Sequence, residues 1–254
     1  MFKTYSRRKR IVKSGLVGFE EVVIKNHTSK YYAIDFTLAR ILVFNESWTW
    51  AWAYNDSITR LPRNFTYAIK YVEENFYFAS RLCFYKTNLD FVLINYHDNN
   101  AEYRQIAYDS TSSEFYVTSE YLGRLDVFNT NCNLLRSIFI KETPYALALF
   151  NGNIFVGPGK SNKIMVKKIK QLSDINQLVN INVCQCSNGI RSITVDFMGY
   201  MAISCFSDNL VVLYDLNGTF TNRQILTSND VISTSTDSKD RFFILTEHSL
   251  EIYY

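Results

Sequence analysis

Residues 103–129, YRQIAYDSTSSEFYVTSEYLGRLDVFN, decide the fold. They read as three short strands, YRQIAYD, EFYVTS and RLDVFN, parted by the polar turn DSTSS and the loop EYLG. LLRSIFI follows as a fourth strand after the turn NTNCN. Short runs rich in Tyr, Phe, Val and Ile between turn residues are the pattern of antiparallel sheet. One such sheet cannot bury both of its faces alone, so a unit of this kind must stack on copies of itself.

The copies are present. The same pattern recurs at Phe19–Asn45, Phe65–Lys86, Pro144–Lys168, Ile190–Asp215 and Val231–Tyr254, with the quoted stretch third. The apolar residue opening the third strand is Ile41, Leu82, Leu125, Ile164, Val211 and Leu250 in turn, at intervals of 41, 43, 39, 47 and 39. A period near 42 with three to four strands per copy predicts a β-propeller. The expected architecture is all-β: one domain over 1–254, a six-bladed propeller of four-stranded antiparallel blades. The blades fall at about 19–60, 61–101, 102–141, 142–187, 188–229 and 230–254. The sixth copy stops after its third strand, so residues 3–13 are expected to lend the missing outer strand beside Leu250–Tyr254 and close the ring.

Composition fits this reading. With 47% hydrophobic residues, including 18 Tyr, 19 Phe and 3 Trp, the chain has ample material for a core. No apolar run approaches the roughly 20 residues that a membrane-spanning helix needs. Lys3, Arg7, Arg8, Lys9, Arg10 and Lys13 carry six positive charges, and the whole chain sums to +3, so the remainder sums to −3. The body is therefore not a generally basic nucleic-acid surface. The cluster suits an outermost strand, where charge discourages edge-to-edge aggregation. No apolar segment follows it as a signal peptide would require. Gly (9) and Pro (3) are scarce for so many turns, and 23 Asn residues take over, because Asn tolerates positive φ and closes its own turns.

The repeats resemble the NHL class of six-bladed propellers. The residues that carry the likeness are an apolar–Asp ending of the first strand (Tyr108-Asp109, Val195-Asp196) and an aromatic–aliphatic second strand (Phe115-Tyr116-Val117, Ile154-Phe155-Val156). A basic or polar residue then precedes an aliphatic–x–aliphatic–aromatic third strand (Arg40-Ile41, Arg81-Leu82, Arg124-Leu125, Lys163-Ile164). Copies one, two and four lack the Asp, and Pro144-Tyr145 alone keeps the Pro-Xaa opening. The resemblance implies a scaffold that binds proteins, RNA or extracellular ligands at the rim where first strands begin; related six-bladed propellers include calcium-dependent lactonases.

The search for chemistry follows from that layout. Strand starts and the loops after second strands should meet at the mouth of a central channel. There the chain offers Tyr67, Arg104, Tyr121, Tyr145, Lys160 and Arg191, expected to bind a protein or peptide partner with acidic groups, since Tyr and Arg dominate interface energetics. Single-stranded RNA is the less favoured partner, given the body's charge. Glu20 and Glu21 are the acidic residues at strand starts, too few for a calcium cage of six to eight oxygens. His27, His97 and His248 do not converge on a zinc-type site, and no Gly-rich phosphate loop or Gly-Xaa-Ser-Xaa-Gly elbow occurs. No cofactor, metal or catalytic residue is predicted. The expected function is a non-enzymatic, monomeric binding scaffold, with a calcium-dependent hydrolase or an RNA-binding domain as alternatives.

Asp109, Asp196 and Asp237 recur at one blade position and should cap the turns that follow. Trp48, Trp50 and Trp52 alternate along TWAWAY, read as the outer strand of the first blade. Residues 167–180 read as an outer strand with an insertion or a short helix. Cys83, Cys132, Cys184, Cys186 and Cys205 show no repeating spacing, so they are expected as small buried or turn residues, not a disulfide framework. Five sequons, at Asn26, Asn45, Asn55, Asn64 and Asn217, fall in predicted turns and point to glycosylation of an extracellular propeller within a larger chain.

Overall fold

The computed structural model describes residues 7–12, 16–23, 29–35, 40–45, 50–55, 66–140, 142–160, 163–168, 179–182, 186, 188–205, 208–227, 230–237, 239 and 241–253. The chain is an all-β propeller of small antiparallel sheets. Among the described residues there are six of them, each four-stranded. The first is β2 (Leu16–Val23), β3 (Ser29–Asp35), β4 (Arg40–Phe44) and β5 (Trp50–Asn55). The second is β6 (Thr66–Val72), β7 (Asn75–Ser80), β8 (Cys83–Thr87) and β9 (Leu93–Asp98), and the third is β10 (Tyr103–Asp109), β11 (Glu114–Ser119), β12 (Arg124–Asn129) and β13 (Leu134–Phe139). The fourth is β14 (Pro144–Phe150), β15 (Asn153–Pro158), β16 (Lys163–Lys168) and β17 (Val179–Asn182). The fifth is β18 (Ile190–Val195), β19 (Tyr200–Cys205), β20 (Leu210–Asp215) and β21 (Phe220–Leu226). The last joins both ends of the chain: β22 (Val231–Thr236), β23 (Phe242–Thr246) and β24 (Ser249–Tyr253), with β1 (Arg7–Val12) as its outer strand. Arg7 pairs with Tyr253 and Val12 with Ser249.

In the first five sheets the strands follow chain order, and in the last β1 follows β24, so each second strand lies between two partners, and each sheet lies between two neighbours. That is why the second strands are apolar on both faces: β11, EFYVTS, is buried at every position but its first. The cores lie between sheets. Tyr77 of the second sheet meets Phe115 of the third with ring centres 4.1 Å apart, and Phe84 meets Phe128 at 4.6 Å. Phe19 of the first sheet meets Phe243 of the last, also at 4.6 Å. There Tyr31, Leu42 and Phe44 share one cluster with Leu245, Leu250 and Ile252. The innermost strands touch in sequence from β2 through β6, β10, β14 and β18 to β22, and β22 touches β2.

Two turn devices repeat. Asp196 Oδ1 accepts from the Tyr200 amide at 2.7 Å, and Asp237 Oδ1 from the amides of Lys239 (3.0 Å) and Arg241 (2.8 Å). Asp109 accepts from Thr111 at 3.0 Å, so the three aspartates cap turns as their recurrence suggests. Asn129 accepts from the amides of Asn131 and Asn133, and Asp215 does the same for Asn217 and Thr219 at the equivalent turn. Cys132 in the first of these turns and Gly218 in the second take positive φ, the left-handed bend that the motif demands.

Three local expectations need correction. The first strand of copy one begins at Leu16 and not at Phe19, because its opening residues pair with Ile34 and Asp35 of β3. Leu82 lies in the tight turn before β8 and does not open it. Cys186 and Cys205 are disulfide-bonded. Their link spans 19 positions, tying the segment before β18 to the end of β19, and among the described residues it is not repeated, so spacing alone could not show it. Of 167–180, Lys167 and Lys168 end β16, Val179 and Asn180 begin β17, and 169–178 lie outside the described residues. Trp50 and Trp52 do stand on the outer strand β5, opposite Phe44 and Val43, while Trp48 is outside the described residues.

Candidate functional site

Every innermost strand carries one extra residue near its start. The register slips between Leu16 and Gly18, Thr66 and Ala68, Tyr103 and Ile106, Pro144 and Ala146, Ile190 and Ser192, and Val231 and Ser233. A bulge leaves its extra residue unpaired and re-aims that side chain. Val17, Tyr67, Arg104, Tyr145, Arg191 and Ile232 occupy these positions. Each is partly exposed, and Tyr67, Tyr145, Arg191 and Ile232 stand between buried flanks in β6, β14, β18 and β22. The six bulges therefore form one ring at the channel mouth.

The structure brings four of the six predicted residues to that ring. The guanidinium carbon of Arg104 stands 4.1 Å from the centre of the Tyr67 ring and 5.4 Å from that of Tyr145. Arg104 Nε donates to Glu120 Oε2 at 2.6 Å, and Glu102 is 3.8 Å from its other end and 2.9 Å from Arg81. Burial pushes the Tyr145 phenol above its ordinary range, although the charges of Arg104 and Arg191 oppose this. Behind the bulges, Thr118 Oγ1 accepts from the Gln105 amide at 3.0 Å and donates to the Tyr145 carbonyl at 3.2 Å, stitching the third sheet to the fourth. Tyr121 and Lys160 are different: they lie in exposed loops after β11 and β15, Tyr121 with 74% of its surface in solvent. Of the sequons, Asn45 and Asn217 are exposed, Asn55 ends β5, and Asn26 and Asn64 lie outside the described residues.

Glycine governs the packing of the fourth and fifth blades at this rim. Gly189 has φ +103°, and a Cβ there would sit 2.3 Å from the Gly159 carbonyl oxygen. Side chains are excluded, so the segment leading to Arg191 lies directly on the loop that leads to Lys160.

Below the mouth the six innermost strands enclose a cavity of about 130 Å³. One wall holds an ion pair, Lys70 Nζ to Glu20 Oε1 at 2.8 Å, and that carboxylate also accepts from the Tyr71 amide at 3.2 Å. The other wall is lined by Thr194, Ser233, Thr234 and Ser235: Thr194 Oγ1 donates to the Thr234 carbonyl at 2.7 Å, and the Thr234 hydroxyl meets that of the buried Ser192 at 2.7 Å. Such a chamber presents a carboxylate, an ammonium and hydroxyls to its interior. Sequence reasoning places Glu20 at a strand start but misses Lys70; a charged residue inside an otherwise apolar first strand is the signal that marks it. Among the described residues no three His, Cys, Asp or Glu side chains group as metal ligands, since the mouth carboxylates are engaged by arginine and lysine. His248 and Glu247 are exposed in the loop before β24.

No protein-family model matches the chain, and no curated protein does. Its shape does have solved counterparts. A virginiamycin B lyase from Staphylococcus aureus superposes with a TM-score of 0.70 over 96% of this chain and 82% of its own, at 10% identity. A streptogramin B lyase superposes with a TM-score of 0.69 over 99% and 96%, at 8% identity. At such identity the likeness is one of fold. The expectation of a non-enzymatic binding scaffold is corrected at this point: both of these counterparts are lyases, enzymes and not scaffolds.

Proposed function

We propose that the chain is a propeller enzyme, its six sheets the blades of one NHL-like ring closed by β1, with a lyase-type active site in the channel. The observation that carries this is the Glu20–Lys70 pair inside a cavity walled by all six innermost strands. Elimination needs a base for the proton next to an activated carbonyl and an acid for the charge that develops. Glu20 takes the first role. Lys70 holds its carboxylate in place and then stabilises the developing oxyanion, and the leaving oxygen takes up the proton that Glu20 removed, on the side of the cavity faced by Thr194 and Ser235. The fold shared with two lyases supports the class of chemistry. Substrate enters through the ring that includes Tyr67, Arg104, Tyr145 and Arg191.

Incubation with virginiamycin B in H₂¹⁸O, followed by mass spectrometry, tests this. The expected product carries no ¹⁸O, and Glu20→Gln and Lys70→Met each abolish its formation. Incorporation of one ¹⁸O would favour the hydrolase instead. A lack of turnover in the wild type, or full turnover in both variants, overturns the assignment.

A further inference from the structure

One residue beyond the bulge, each innermost strand adds a member to a second ring: Gly18, Ala68, Gln105, Ala146, Ser192 and Ser233. Five of them are small and buried; Gln105 alone is long and partly exposed. This ring lies two residues before Glu20 in β2 and two before Lys70 in β6, between the mouth and the ion pair. Gln105 and Ser233 both line the cavity. The Ser192 hydroxyl is taken up by Thr234, whereas among the described residues the Gln105 carboxamide and the Ser233 hydroxyl have no hydrogen-bond partner. We infer that Gln105 and Ser233 hold a trans secondary amide of the substrate across the channel. The inference rests on the reading of this cavity as the active site.

Three physical points lead to it. Ser233 is only 8% exposed, and a polar group buried so far ordinarily has a partner, so one left unpaired in a cavity wall points to a ligand group. Gln105 is anchored at its base, where its backbone amide donates to Thr118 Oγ1 at 3.0 Å, and its side chain stays uncommitted. Second, β10 and β22 stand three strands apart whichever way the ring is followed, so the two groups approach the axis from opposite walls. Third, a trans secondary amide is planar and points its N–H and its C=O in opposite directions. The carboxamide oxygen of Gln105 accepts from the first, and the Ser233 hydroxyl donates to the second. Gly18, Ala68 and Ala146 bring no competing polar side chain. An ester of the same shape has no N–H, so it satisfies one wall and leaves the other side chain unpaired, which carries a cost.

Two small probes of one shape, N-methylacetamide and methyl acetate, test this apart from any turnover. Each is titrated into the ¹⁵N-labelled protein, and the Gln105 side-chain NH₂ and Ser233 amide signals are followed by NMR. N-methylacetamide should shift both signals, with methyl acetate binding at least threefold more weakly. Gln105→Leu and Ser233→Ala should each bring the amide down to the level of the ester and leave the ester unchanged, which a merely unfolded variant could not do. Equal binding of the two probes by the wild type, no shift with either, or a variant that keeps the preference overturns the inference. The wild-type comparison needs no substitution, so a variant that failed to fold would not shield it. Turnover of virginiamycin B without the amide preference would leave the enzyme assignment standing and remove only this pair. Amide preference without turnover would do the reverse.

Discussion

Tyr31 and Arg241 stand 210 positions apart in the chain, and their side chains meet where the first sheet packs against the last. Arg241 Nε also donates to Asp237 Oδ2 at 2.6 Å, and Tyr31 donates to the same oxygen at 3.4 Å. The Asp237 side chain is wholly buried and that of Arg241 nearly so. Removing one member of a buried pair strands the other charge, at about 3–5 kcal/mol. Arg241→Met should therefore lower Tm sharply, Tyr31→Phe should cost only about 1 kcal/mol, and Arg241→Met with Asp237→Asn, which removes the stranded charge and keeps the oxygen that caps the turn, should recover most of the loss. Equal melting of the single and double variants would refute the latch.

Deleting residues 1–14 removes β1 and bares the outer edge of β24, where Ile11 pairs with Leu250 and Arg10 with Glu251. An uncharged open edge invites pairing between molecules. The truncated protein should melt lower and aggregate on heating. A melting curve that overlays the full chain would show that β1 contributes nothing to closure.

Gly189→Ala tests the rim. Its Cβ would meet backbone at 2.3 Å, and the positive φ disfavours any side chain, so the two blades must separate. We expect a lower Tm and changed amide shifts at Arg191 and Lys160 in NMR spectra. Gly152→Ala, at φ +70° with nothing within 4 Å, should cost only its backbone strain and leave the rim unchanged.

Reducing the Cys186–Cys205 bond, or replacing Cys205 with Ser, should lower stability by roughly 3 kcal/mol, the range for a loop of this length. Cys132 and Cys83 will not substitute for it: both are buried, and desolvation pushes the Cys132 thiol up to about 12. Chemical denaturation with and without reductant measures the loss. Identical midpoints would mean the bond is not formed in solution.

Alkali should unfold the protein through its buried phenols. Burial, with the nearby charge of Asp126, holds the Tyr103 phenol above its ordinary range; its hydroxyl donates to Asp126 Oδ2 at 2.8 Å. A raised folded-state pKa contributes stability that is fully present below the unfolded value of about 10 and is lost as pH rises beyond it. Tyr103→Phe should be less stable at pH 7, yet lose less between about pH 9 and 11. A parallel decline of both proteins would exclude Tyr103 as the linked group.

The repeat, its strand order and its turn chemistry are legible in the sequence because they are local. EFYVTS, rich in aromatic and β-branched residues, reads as a strand wherever it lies, Asp196 bends its own turn through the amide four residues on, and Asn129 through those two and four residues on. Mouth residues Tyr67, Arg104, Tyr145 and Arg191 are legible for the same reason, since a strand start is a position within one blade. What no window of sequence contains is decided between blades. Glu20 meets Lys70 because β2 packs beside β6, and Cys186 finds Cys205 because a connecting segment folds back across a strand end. The bulge that turns six unrelated side chains into one ring is a register shift, visible only once two strands are paired. Local propensity is set by neighbours along the chain. Chemistry in a propeller is set by neighbours around the axis, some 40 residues apart, and only tertiary packing brings those together.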